Sequence, residues 1–387
     1  MVQAPLLVAA LLLASPRARL DAGIDASGHA GSDDPGPLGS AGARSVDVEP
    51  SLAVLLEAPL LQLQARYAPR LVLANGGESA VLATRQSGSL SGRWRQSRSL
   101  EWVLSERFRY GRSELTLDPG AHRPFDSLEG FLPLLSDELF NATEVGFTLQ
   151  LGRGLTLDAS AGYLAYGGVS AASQQLVPLQ MGPQLYLALS RELTRNDQLS
   201  SELYASHTFA TGDRQSSLAK WTASWKRQLA ASTRSRLSFG ASLDRRTRPS
   251  ETTALDVFPA AEAALEHDVL DRSGRIELRA LAALEPRYSS LTADIQERAE
   301  LGVSARWVLH DRFSVRGRAG AAKELQRESS GGHLLIGAID AAFELRRDVS
   351  LTAGAEAMWQ RVAPGTPAPA SGWFAFAGLS FTSRDIL

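Results

Sequence analysis

Residues 145–163 read VGFTLQLGRGLTLDASAGY, and they decide the fold. Val145, Phe147, Leu149 and Leu151 alternate with Gly146, Thr148 and Gln150. After Gly152-Arg153-Gly154, the apolar positions Leu155, Leu157, Ala159, Ala161 and Tyr163 alternate with Thr156, Asp158, Ser160 and Gly162. A period of two is the signature of a strand with one apolar and one polar face, and the glycines mark a tight turn. The segment is therefore a hairpin of two long strands.

The pattern repeats in both directions. Between residues 61 and 383 about sixteen such runs can be counted, most of ten residues or more. Among them are 61–73, with Leu61, Leu63, Ala65, Leu71 and Leu73 on one face, and 371–383, with Trp373, Ala375, Ala377, Leu379 and Phe381. Connections alternate as well. One set is short (96–97, 152–154, 310–311, 347–348), whereas the other is longer and rich in Pro, Gly and Ser (111–143, 167–176, 247–253, 363–371). Short turns on one side and long loops on the other are characteristic of outer-membrane barrels. A soluble sandwich shares the alternation, but its strands average five or six residues. The polar face here also carries more charge than a packed core tolerates. The expected fold is all-β, a transmembrane antiparallel up-and-down β-barrel of about sixteen strands, with fourteen or eighteen as the alternatives. Both chain ends then lie on the periplasmic side.

The front of the chain reads differently. Residues 5–14, PLLVAALLLA, form an apolar run too short to span a bilayer and suited to a signal-peptide core. Residues 1–22 are assigned to the signal peptide and 59–387 to the barrel. Between them, 23–58 includes DASGHAGSDDPGPLGSAGA, which is poor in large apolar residues and is expected to be a flexible periplasmic segment.

Composition excludes several classes. With 40 Lys+Arg against 42 Asp+Glu the chain has no global positive charge to hold nucleic acid. Zero cysteines exclude disulfides, thiolate metal sites and cysteine nucleophiles. Histidines 29, 122, 207, 267, 310 and 333 are scattered, His267 and His310 falling in expected turns. No HExxH, GxSxG or P-loop motif occurs, so no catalytic group, metal or cofactor is implied and the chain is not expected to be an enzyme.

What the polar face does offer is charge. Arg275, Glu277 and Arg279 share one run, Arg298, Glu300 and Arg306 the next, and Arg312, Arg316 and Arg318 the third. Arg66, Arg70, Arg93, Arg107, Arg109, Glu202, Lys220, Asp256 and Glu262 fall on the same face elsewhere. In a barrel these are lumen-lining candidates, and fixed charges set solute preference. Either the arginines favour anionic solutes, an acidic glycan among them, or Arg and Glu pair and neutralise one another. Glu106 falls on the opposite, lipid face between Leu104 and Phe108. It lies either near the outer rim, where a charge costs little, or at a slip of register. Within 111–143, the stretch PFDSLEGFLPLLSDELF is apolar enough to fold into or over the lumen.

The run Gly372-Trp373-Phe374-Ala375-Phe376-Ala377-Gly378-Leu379-Ser380-Phe381 resembles the closing strand of bacterial outer-membrane barrels, which the barrel-assembly machinery reads. Three further stretches resemble deltaproteobacterial barrels, some of them linked to exopolysaccharide export. They are Arg66-Tyr67-Ala68-Pro69-Arg70-Leu71, Gly88-Ser89-Leu90-Ser91-Gly92-Arg93-Trp94 and Leu176-Val177-Pro178-Leu179-Gln180-Met181-Gly182-Pro183. The resemblance implies an outer-membrane protein surrounded by lipid, acting as a channel for polysaccharide or another anionic solute. A plugged structural or adhesive barrel is the alternative, and an outer-membrane hydrolase a third reading.

Overall fold

The computed structural model describes residues 17–31, 44–75, 80–113, 136–176, 178–247, 254–271, 274–289, 294–309, 312–325, 333–361 and 371–383. Its strands in chain order are β1 (Arg17–Gly31), β2 (Arg44–Ala58), β3 (Leu61–Tyr67), β4 (Arg70–Asn75), β5 (Ala80–Arg95), β6 (Leu100–Ser113), β7 (Ser136–Gly152) and β8 (Leu155–Gly168). A short helix, α1 (Ala171–Leu176), precedes β9 (Gln180–Glu192), β10 (Asp197–Ala210), β11 (Arg214–Ala230), β12 (Thr233–Thr247) and β13 (Ala254–Asp271). Then come β14 (Gly274–Ser289), β15 (Asp294–Leu309), β16 (Phe313–Glu324), β17 (His333–Arg346), β18 (Val349–Arg361) and β19 (Ser371–Ser383). Neighbours in sequence pair antiparallel, and β19 pairs with β1 from Ala22↔Ser383 to Gly31↔Phe374, which closes the sheet. β3 and β4 pair with the same two neighbours, β2 and β5, on either side of Ala68-Pro69. They form one wall strand interrupted by a proline, which has no N–H to donate. The result is a closed antiparallel barrel of eighteen strands.

The expected sixteen runs correspond to β3/β4 through β19, and the two extra strands lie in front of them. β1 and β2 overlap the supposed flexible segment 23–58, and β1 begins inside the supposed signal stretch 1–22. Residues 23–31 and 44–58 are therefore wall strands rather than a flexible segment. In β2, Val46, Val48, Leu52, Val54 and Leu56 alternate with Asp47, Glu49, Ser51 and Glu57, so the segment has an apolar face after all. β1 presents only Ala18, Leu20, Ala22, Ile24 and Ala26 on that face, but its backbone bonds with both β2 and β19. The apolar run 5–14 lies outside the described residues.

Connections at the rim where β1 begins and β19 finishes are short: 59–60, 96–99, 153–154, 193–196, 231–232 and 347–348. Gly154 has φ +68°, and a Cβ there would lie 3.1 Å from the Glu192 Cβ, so glycine suits this turn. The opposite rim carries the longer connections, 114–135 being the longest. The expected loop 111–143 is shorter than that, because Gly111–Ser113 belongs to β6 and Ser136–Thr143 to β7. Its constricting role rested on residues that otherwise lie outside the described ones. His267 belongs to β13 rather than to a turn, beside Thr233 at 2.8 Å. His310 lies outside the described residues.

The Lys220 ammonium meets the Glu285 carboxylate although β12 and β13 separate their strands. Only the concave side permits that contact, so it fixes which face looks inward. The outer face is then apolar, with Phe239 64% exposed, Leu301 63%, Ile339 57% and Trp373 50%. Large apolar side chains bared to this extent all around a sheet need lipid in place of water. Glu106 does face outward, with no slip in the pairing of β5, β6 and β7. Asn141 Nδ2 donates to Glu106 Oε1 at 3.5 Å, and Thr143 Oγ1 donates to Asn141 Oδ1 at 3.3 Å. Thr143 pairs with Tyr163, a girdle-type aromatic, so this polar trio sits where an apolar band gives way to an interface.

Candidate solute passage

The inner face divides into two halves. From β11 to β18 many inward side chains are buried against one another, although Lys226, Arg234, Glu266, Arg275, Arg279 and Arg306 are exposed. Asp244 is fully buried beside the Arg246 Nε at 2.7 Å, and the Arg246 Nη2 also reaches Asp256 at 2.5 Å. Arg298 and Glu300 pair at 3.1 Å, with Glu300 only 2% exposed. Arg316 reaches Asp340 at 2.9 Å, and Arg318 reaches Glu356, two strands away, at 2.5 Å. Cα atoms of β11 and β15 come within 8 Å although three strands lie between them, so the wall curls inward here. Ala322, Leu334 and Ile336, all on inward positions, form a buried apolar cluster with Leu281 from β14. Such packing leaves little room for water around these side chains.

These contacts account for most of the arginine wall. Arg275 pairs with Asp268 (2.9 Å) and Glu277 (3.4 Å) close to the short-turn rim, and Arg279 lies 3.9 Å from Glu266. A guanidinium within a few ångströms of a carboxylate projects little net field across a lumen. Pairing, the second of the two expectations, therefore describes Arg275, Arg279, Arg298, Arg316 and Arg318. Arg306 faces inward opposite Glu277 and Arg316, with no carboxylate at ion-pair distance among the described residues. Arg312 departs from expectation. It lies in the turn before β16, exposed, and with Arg306, Glu344 and Arg346 it lines a 340 Å³ hollow at the mouth.

From β3 to β10 the inner face is more open, although Val72, Glu138, Gln180, Ala188 and Ser200 are buried. Gln62, Gln64, Arg66, Ser91, Arg107 and Glu144 all point inward and are exposed. Arg66 stands 3.9 Å from Glu49, and Arg93 pairs with Glu101 at 3.1 Å. Arg70 is held by Asp47, and Arg109 lies over the Phe140 ring, 5.5 Å from its centroid. On β7 to β10 the inward positions hold carboxylates (Glu138, Glu144, Asp158, Glu192, Glu202), hydroxyls, amides and aromatics, and neither lysine nor arginine. Tyr186 and Tyr204 are direct cross-strand partners halfway up this face.

At the short-turn mouth a vestibule of about 790 Å³ is lined by Glu192, Gln198, Lys226, Arg236 and Glu262, and reaches in as far as Glu285. Arg236 bridges Glu202 (3.3 Å) and Glu262 (3.7 Å) at its wall. The inward register of Glu202, Lys220, Asp256 and Glu262 was readable from alternation. The tyrosine pair was not singled out, although Tyr186 and Tyr204 fall on the same polar parity and that signal alone marks them. Among the described residues no group of three or more His, Asp or Glu side chains is placed to hold a metal ion.

Solved structures with this architecture are outer-membrane proteins. OccK9 (OpdG) of Pseudomonas aeruginosa superposes with a TM-score of 0.53 at 12% identity, over 95% of this chain and 98% of that one. OccAB4 of Acinetobacter baumannii gives 0.52 at 9% identity, over 95% and 98%. The outer membrane protein opdK of P. aeruginosa gives 0.51 at 10%, over 95% and 99%. At such identities the likeness is one of fold, and a closed barrel with an apolar outer band is a protein of the bacterial outer membrane. No curated protein matches the sequence. The EpsX exopolysaccharide export family matches residues 14–387, nearly the whole chain, and the protein belongs to that family.

Proposed function

We propose that this barrel is a conduit through which a polysaccharide strand crosses the outer membrane, running along the open inner face of β3 to β10. One observation carries the reading: inward side chains from β3 to β10 are mostly hydrophilic, with Gln62, Gln64, Arg66, Ser91, Arg107 and Glu144 exposed, whereas most of the buried inward side chains lie on β11 to β18. A hydrated polymer needs a wall of hydroxyls, amides and sparse charge, with water beside it. Family membership supports polysaccharide as the cargo. The reading also carries outer-membrane lipid around the apolar band and insertion by the barrel-assembly machinery. The test is electrical and genetic. Purified full-length chain in planar bilayers is expected to show stepwise ion conductance, and deletion of the gene to abolish surface polymer. A correctly folded barrel that conducts no ions, or a deletion strain with undiminished polymer, would overturn the proposal.

A further inference from the structure

Most of the arginine wall is engaged in ion pairs, so the surface left for a solute has to be read largely from other residues. The β9–β10 face is continuous with the vestibule. Going inward from the mouth, β10 presents Gln198, Ser200, Glu202, Tyr204, Ser206 and Thr208. Beside it β9 presents Glu192, Ser190, Ala188, Tyr186, Gln184 and Gln180. Glu202 is held in place by Ser200 Oγ and Ser224 Oγ, which donate at 3.0 and 3.2 Å, and by Arg236. Tyr186 and Tyr204 follow directly above it, both half-buried. Farther out, Tyr166 pairs with Gln180 across β8–β9, and its ring meets Phe140 nearly edge-on at 6.4 Å.

We infer that this column binds a glycan built of uncharged sugars, with Tyr186 and Tyr204 as the stacking platform and Glu202, Gln184 and Gln198 as hydroxyl ligands. The inference rests on the conduit reading and adds the class of polymer. Its chemistry is that of sugar recognition. An aromatic face packs against the C–H face of a pyranose, carboxylates accept strong hydrogen bonds from hydroxyls, and amides both donate and accept. An acidic polymer fits the column poorly. Its carboxylates would pass Glu144, Asp158, Glu192 and Glu202 on strands that present no inward cation of their own. Of the cations that flank it, Arg236 is shared between two carboxylates and Arg109 is stacked on Phe140. Arg107 stands exposed at one edge of the face and Lys226, opposite Gln198 on β11, at the mouth end of the other, so these cations frame the column without belonging to it.

The experiment uses full-length protein in planar bilayers, with cellohexaose as the neutral probe and hexagalacturonate as the acidic one. Cellohexaose is expected to interrupt the current at a concentration about tenfold lower than hexagalacturonate, and the Tyr186→Ala/Tyr204→Ala double variant to need about tenfold more cellohexaose. The Tyr186→Phe/Tyr204→Phe variant, which keeps both rings, is expected to block as the native chain does. Stronger block by hexagalacturonate, or block by cellohexaose that the alanine variant leaves unaltered, overturns the inference while the conduit stands. Native protein that does not conduct removes the conduit reading itself. The comparison of the two probes on the native barrel needs no variant to fold.

Discussion

Lys220 and Glu285 show what one buried pair does in this lumen. Neither is fully exposed, the side chains being 24% and 11% accessible, and each compensates the other in part for lost water. Removing one partner of such a pair strips the other of part of its compensation, which typically costs more than the pair itself contributes. Lys220→Met is therefore expected to destabilise the barrel by about 3 kcal/mol, and Lys220→Met/Glu285→Met to recover most of that loss. Urea titration of the barrel refolded in lipid vesicles reads both values. A single variant as stable as the native chain would show that Glu285 keeps enough water to dispense with its partner. Glu106 makes the contrast. It too is a carboxylate off the aqueous lumen, but it stands at an interfacial level with Asn141 and Thr143 beside it, where depth makes a charge inexpensive.

Strands β1 and β2 carry the argument at the scale of elements. Since the chain has no cysteine, an engineered pair gives an unambiguous answer about closure. Ala26 and Leu379 are cross-strand partners on β1 and β19. Directly opposed residues of an antiparallel pair lie about 4.5–5.5 Å apart at Cα, within reach of a disulfide. Ala26→Cys/Leu379→Cys is expected to oxidise to an intramolecular bond that alters mobility in denaturing gels. An N-terminal segment hanging in the periplasm would leave both thiols free. The same strands mark the limit of what alternation reveals. From Leu61 onward, large outward residues such as Phe147, Leu149 and Leu157 make the period of two plain. β1 has the period, with Arg17, Arg19, Asp21 and Asp25 between its outward positions, but alanines occupy most of the latter and give its outer face little apolar bulk. In β2, Pro50 interrupts the apolar face. What holds these strands in the wall is backbone pairing with β19, more than 300 residues away in sequence, and no local window contains that.

For the whole molecule, the division of the lumen matters more than the strand count. Parity puts Arg298, Glu300 and Arg318 on the inward face as readily as Arg66 and Arg107. It cannot tell a wet inward position from a dry one, because that depends on how sharply the sheet curves between β11 and β15. Curvature is a property of the closed barrel, set by pairs such as Lys220 with Glu285 that reach past intervening strands. The division is open to direct measurement in the cysteine-free chain. Glu144→Cys and Ser91→Cys place thiols on exposed inward positions of β7 and β5, whereas Ser242→Cys places one on β12 at a position 2% exposed. All three point away from lipid, so a uniformly open cylinder would give a charged, membrane-impermeant maleimide equal access to them. The curled wall predicts otherwise. Glu144→Cys and Ser91→Cys should label at least about a hundredfold faster than Ser242→Cys, since reaching the buried thiol requires local opening. Urea should bring the three rates together. Labelling followed by mass measurement reads the rates, and rapid labelling of Ser242→Cys in the native barrel would mean that water reaches both halves and that the passage has no preferred side.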